Sequence, residues 1–226
     1  MPSVLVTGAN RGLGLAFVES FAADGWRVHA CCRHPEKCRP LQDLGEGVAL
    51  HRLDVTEGLQ VEALARNLAD EPLDLLINNA GLGGEDEDLE SLDFELWQRL
   101  LAVNVLAPAR LAAAFWPAVV ASSRRVIVNV SSKMGSIADN GSGGAYAYRS
   151  SKAALNMVTR NLAIELKDKG AVVVAVHPGW VRTEMGGPEA EITPEESVGG
   201  LRRLIDGLTP ADSGRFFDWQ GRELPW

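Results

Sequence analysis

Seven short apolar runs, separated by stretches of helical periodicity, constrain this chain more than any other feature: Ser3–Thr7, Arg27–Cys32, Val48–Leu53, Leu73–Asn78, Arg125–Val130, Ala171–His177 and Gly214–Asp218. Most are continuous Val, Leu, Ile and Ala stretches rather than apolar–polar alternations, which is the pattern of strands buried on both faces of a parallel sheet. Strands that alternate with helices predict a doubly wound α/β fold, whose site is built by loops at the carboxyl ends of the strands. No repeat, low-complexity tract or linker divides the chain, and residues 139–144 and 186–196 read as loops. With 226 residues, 46% of them hydrophobic, the expectation is one domain over residues 1–226 with a full core.

The first run leads into VLVTGANRGLG, after which Leu13, Ala16, Phe17 and Ser20 recur at helical spacing. Gly8, Gly12 and Gly14 therefore fall at a strand-to-helix turn. There a missing side chain lets backbone approach a ligand, and the helix N-terminus offers N–H groups to a phosphate. A dinucleotide is the first candidate ligand, and the alternative is a tight structural connection. Where an NAD binder sets an acid against the adenosine ribose, the second run ends in Cys32 and Arg33. Arg33 and Arg11 together form a candidate clamp on a ribose 2′-phosphate, because guanidinium pairs bidentately with phosphate. The cofactor expected is thus NADP(H) rather than NAD(H), unless both arginines are merely solvated surface groups.

A formal net charge of −8 argues against a general nucleic-acid or anionic-membrane binder. Cys31, Cys32 and Cys38 lack paired spacings, so neither a disulfide framework nor a metal site is expected. The first strand begins close to Met1, which leaves no room for a leader and predicts a cytoplasmic protein. Leu100–Ala121 is long and apolar, but Asn104, Arg110 and two prolines favour a buried or interface helix over a membrane span.

Further motifs follow in order: Asp54-Val55, Asn78-Asn79-Ala80-Gly81, Asn104, Ser132, Tyr148 with Lys152, and Pro178-Gly179. With the Thr7–Gly14 turn, this set resembles the short-chain dehydrogenase/reductase family across nearly the whole chain. Within it, AYAYRSSKAALN, HPGWVRTEMGG and FFDWQGRELPW are similar to the sniffer-type carbonyl reductases and the C-factor group. The resemblance implies a Rossmann-type three-layer sandwich around a mostly parallel seven-stranded sheet. It implies cofactor contacts from Gly8, Asn10, Arg11, Gly12, Leu13 and Gly14 on the turn, and from Arg33. Asp54 would meet the adenine amino group beside the Val55 backbone, with Asn79, Ala80 and Gly81 along the ribose. Pro178, Gly179, Val181 and Thr183 would meet the nicotinamide and pyrophosphate. Asp54 has a second reading, as a cap acting through Thr56.

The implied reaction is NADPH-dependent reduction of an aldehyde or ketone, or its reverse, on a small carbonyl or alcohol substrate. Hydride arriving on carbon leaves charge on oxygen, so a donor must hold that oxygen and supply a proton. Tyr148 and Lys152 lie four apart on a predicted helix, and a nearby ammonium would lower the phenol pKa from about 10. The family places Lys152 also on the nicotinamide ribose, Ser132 on the substrate oxygen, and Asn104 on a water that links the lysine to solvent. Rivals stand beside these roles: Tyr146 for Tyr148, Ser131 for Ser132, and a purely structural Asn104 satisfying buried backbone. His177 reads as structural. Met185–Glu196 and Met134–Ala145 are expected to shape the substrate pocket. The helices near Leu100–Trp116 and Ser151–Leu166 resemble the family's dimer surfaces, which fits a homodimer or homotetramer. The second functional reading is a C-factor-like signalling protein that binds dinucleotide with little turnover.

Overall fold

The computed structural model describes residues 1–84 and 88–226. In chain order its main elements are β1 (Ser3–Thr7), α1 (Gly12–Ala23), β2 (Arg27–Cys32), α2 (Arg39–Gln42), β3 (Val48–Arg52), α3 (Gly58–Asn67) and β4 (Leu75–Asn78). They continue with α4 (Phe94–Leu101), α5 (Ala107–Ala121), β5 (Val126–Val130), α6 (Tyr146–Glu165), β6 (Val172–His177), α7 (Pro194–Gly207) and β7 (Phe216–Asp218). The strands form one sheet in the order β3-β2-β1-β4-β5-β6-β7, and every pairing between them is parallel rather than mostly so. This is the Rossmann-like doubly wound arrangement. The chain winds outward from β1 to β3, returns to β4 beside β1, and winds outward again to β7, so a crevice opens above the carboxyl ends of β1 and β4.

Alternate strand residues face two separate helix layers, which is why the strands carry no polar face. Val4, Val6, Val28, Val128 and Val174 pack with Phe17 and Phe21 of α1 and Leu201 and Ile205 of α7. Leu5, Leu76, Ile127 and Val173 face the other way, against Leu64 of α3, Leu111 and Phe115 of α5 and Ala163 of α6.

Four expected strand starts shift by one or two residues, to Leu75, Val126, Val172 and Phe216, and the backbone around two of them shows why. Arg125 stands outside β5 with φ 56°, in the left-handed region, as the chain turns out of α5. Leu73 stands outside β4 because its N–H donates to the Ala118 carbonyl near the end of α5 (3.0 Å). The apolar run 94–121 is long and apolar enough to cross a membrane by composition alone, yet here Leu100, Ala107, Leu111, Phe115 and Val119 are buried in the protein. Its prolines do not end the helix. Pro108 follows directly on the π turn Ala102–Leu106, and Pro117 sits inside a helix held by sheet packing. Between α4 and α5 the helix widens into one π turn, Ala102–Leu106, a distortion that commonly accompanies function.

Candidate active site

The glycine turn joins β1 to α1 at the crevice, and its glycines are required by contact. A Cβ on Gly14 would lie 2.1 Å from the Gly8 carbonyl oxygen, and one on Gly8, whose φ is 66°, would lie 2.9 Å from the Ala80 Cα. Thr7 and Asn79 stitch the turn to the end of β4. The Thr7 hydroxyl oxygen accepts from the Asn79 and Ala80 N–H groups, both at 3.0 Å, and the Asn79 amide donates to the Thr7 carbonyl at 2.8 Å. No side chain caps α1, so its positive end faces the crevice, where it favours an anion.

That crevice is a cavity of about 810 Å³. It is lined by Gly8, Asn10, Arg11, Gly12, Leu13, Gly14, Arg33, Asp54, Val55, Asn79, Ala80, Gly81, Tyr148, Lys152, Pro178 and Thr183. A second cavity of about 680 Å³ adjoins it and takes Ser132, Gly179 and Val181, along with Met134, Trp180 and Met185. Tyr148, Pro178, Thr183 and Met185 line both. Asn104 lines neither and lies directly behind: its amide oxygen accepts from the Leu82 N–H (2.8 Å), and its nitrogen donates to the Leu82 carbonyl (3.0 Å) and the Ser151 hydroxyl (3.0 Å). The π turn presents it there, and it fastens the segment after β4 to α6.

Toward the β2 side of the crevice, Asp54 makes the cap contact. Its carboxylate accepts from the Thr56 N–H and hydroxyl (3.0 and 2.7 Å) while bordering the cavity. Burial works to raise this carboxyl, but the Thr56 hydrogen bonds and the Arg33 charge hold it below the usual carboxylate range. Arg11 is ion-paired with Glu184 on the segment after β6.

At the other end, Tyr148 and Lys152 stand one turn apart on α6. The Lys152 ammonium donates to the Val130 carbonyl at 2.9 Å and lies 5.7 Å from the Tyr148 ring centroid. Burial lowers Lys152 to about 8. The expected lowering of the phenol is not found: burial raises Tyr148 above its ordinary value, and only the hydrogen bond with Ser132 pulls it back. Ser131 is excluded from that contact, since its hydroxyl donates to the Asn156 amide oxygen at 2.6 Å. Tyr146, at the exposed start of α6, lines neither cavity.

Glu184, Gly83 and Gly84 belong to the site without having been singled out. Gly84 leaves room for Tyr148, whose Cβ would be 3.0 Å from an added methyl. The glycine pair one residue beyond NNAG was the available signal for the latter two, whereas Glu184 had none, because its partner lies 173 positions away.

A family model described as short chain dehydrogenase matches residues 2–193. C-signal of Myxococcus xanthus is 48% identical over 166 residues, covering 74% of this chain and 100% of that protein. The carbonyl reductase Sniffer of D. melanogaster superposes with a TM-score of 0.94 at 31% identity, with both chains covered fully. The NADPH-bound carbonyl reductase from chicken fatty liver superposes with a TM-score of 0.91 at 36% identity, covering 100% of this chain and 99% of that one. With the family model spanning residues 2–193 and the sheet wound in the same way, this chain belongs to the short-chain dehydrogenase/reductase family of oxidoreductases.

Proposed function

We propose that this protein reduces an aldehyde or ketone to an alcohol with NADPH, or runs the reverse oxidation. One arrangement carries the reading: the half-buried Tyr148, with Ser132 beside its phenol and the Lys152 ammonium 5.7 Å from its ring, on the wall common to both cavities. The nicotinamide, when bound, supplies or accepts the hydride. The crevice fits a dinucleotide, since Gly8 and Gly14 keep backbone clear where a Cβ would collide and the uncapped α1 terminus favours phosphate. Arg33, in place of an acid at the end of β2, supports the 2′-phosphate form, as does the likeness to an NADPH-bound carbonyl reductase.

Ser132 and Tyr148 donate to the substrate oxygen, where charge develops, and Tyr148 then gives up its proton. Burial raises the phenol, so it stays protonated until charge develops on the substrate oxygen and draws the proton. Lys152, lowered to about 8, holds its ammonium beside the phenol, where it stabilises the phenolate left after transfer. Asn104 keeps the Leu82 segment at its distance from α6.

Tyr148→Phe tests this directly. Carbonyl turnover is expected to fall at least about 100-fold while NADPH affinity, read by fluorescence titration, is kept. Near-normal turnover in a folded Tyr148→Phe protein overturns the mechanism. The 48% identity to C-signal favours one other reading, a signalling protein that binds dinucleotide with little turnover. NADPH binding without turnover across a panel of aldehydes and ketones would select it.

A further inference from the structure

Three consecutive residues after β6 reach across the crevice. Thr183 meets the glycine turn, where a Cβ on Gly12 would lie 3.1 Å from its methyl. Glu184 pairs with Arg11 of the same turn. Met185 meets the segment after β4, where a Cβ on Gly83 would lie 3.1 Å from its Cγ. The segment is tied at its far end as well, by the Trp180 indole N–H donating to the Gly186 carbonyl at 2.8 Å. Residues 183–185 thus form a strap over the junction of the two cavities, and its one charged tie holds a guanidinium that the dinucleotide reading assigns to phosphate.

We propose that Glu184 is a specificity-determining residue for the cofactor, competing with the ribose 2′-phosphate of NADP(H) for Arg11, so that this phosphate releases the strap. The inference rests on the dinucleotide reading of the crevice. Both side chains of the pair are mostly exposed, and such pairs are weak and screened by salt, which makes the tie exchangeable. A phosphate dianion offers Arg11 more charge and more acceptor oxygens than one carboxylate, so it wins the exchange. NADH brings no group to that position and leaves the pair intact. The strap also walls the second cavity through Thr183 and Met185, so the exchange links the phosphate end of the cofactor to the substrate entrance.

Direct binding, without turnover, is the test. Glu184→Gln removes the charge from an exposed position and keeps the side-chain shape. Dissociation constants for NADPH and for 2′,5′-ADP are expected to tighten about three- to five-fold, the worth of an exposed ion pair. Those for NADH and 5′-ADP are expected to stay the same. In an Arg11→Ala background the Glu184→Gln gain should vanish. Equal tightening of NADH and NADPH, an unchanged ratio between them, or a gain that survives Arg11→Ala overturns the role of Glu184. A wild-type protein that binds neither dinucleotide instead overturns the reading of the crevice itself.

Discussion

Arg33 stands exposed at the end of β2 with its charge acting on Asp54, whereas Arg11 is tied to Glu184 across the crevice. The same side chain therefore starts from two different states. Arg33 has no strap to release, so the loss of its contact with the 2′-phosphate should appear in full. Arg33→Ala is expected to weaken NADPH relative to NADH by more than about ten-fold, since a hydrogen bond to a charged group contributes about 1.5–3 kcal/mol. Parallel titrations of the two cofactors read this, and an equal loss for both would remove Arg33 from the 2′-phosphate.

The end of β5 shows how an element divides labour between neighbours. Val130 closes the strand and gives its carbonyl to the Lys152 ammonium, Ser131 turns into the body toward Asn156 of α6, and Ser132 turns outward to Tyr148 while capping the 3₁₀ turn Lys133–Gly135. Side chains on successive extended residues point to opposite sides, so the direction taken by one decides the other. Ser132→Ala should cut turnover by more than about ten-fold, as loss of a positioned donor does, with little change in the melting temperature. Ser131→Ala should do the reverse. It leaves the Asn156 amide oxygen without its donor in a buried place, at a cost of about 1–3 kcal/mol in denaturant unfolding, with turnover per folded molecule nearly kept.

Across the whole molecule, the buried histidines are expected to make the fold sensitive to acid. His29 on β2 shares a 3.1 Å hydrogen bond with His51 on β3, with Glu71 3.6 Å from its other ring nitrogen. Burial, then the neighbouring His51, lowers His29 to about 4 despite Glu71. Burial likewise lowers His177 to about 4, against the pull of Asp218. A histidine whose folded value lies below its unfolded one, near 6.5, binds fewer protons when folded. The contribution of these histidines to stability is then expected to be complete above about pH 6.5 and to decline as pH falls toward 4. For His29 the limit is on the order of 3 kcal/mol. Urea unfolding between pH 7.5 and 4.5 should show that slope, and His29→Gln should flatten it. A slope unchanged by the substitution would assign the acid sensitivity elsewhere.

What was legible in the sequence was local. Strand runs and their order, the glycine turn before α1, and Tyr148 one helical turn from Lys152 all rest on periodicity and turn chemistry, which neighbouring residues carry between them. The departure at Arg125 is local, a left-handed residue whose N–H donates to the Ser122 hydroxyl, whereas that at Leu73 is already tertiary, because the end of α5 captures its backbone N–H. More of the site was decided at that level. The direction of the Ser131 hydroxyl depends on where Asn156 of α6 comes to lie, and the tie between Arg11 and Glu184 joins positions 173 apart. The protonation of the Tyr148–Lys152 pair was misjudged from spacing alone, because spacing carries charge proximity but not desolvation. Only the closing of helices and loops around the pair buries it, and burial raises the phenol and lowers the ammonium together.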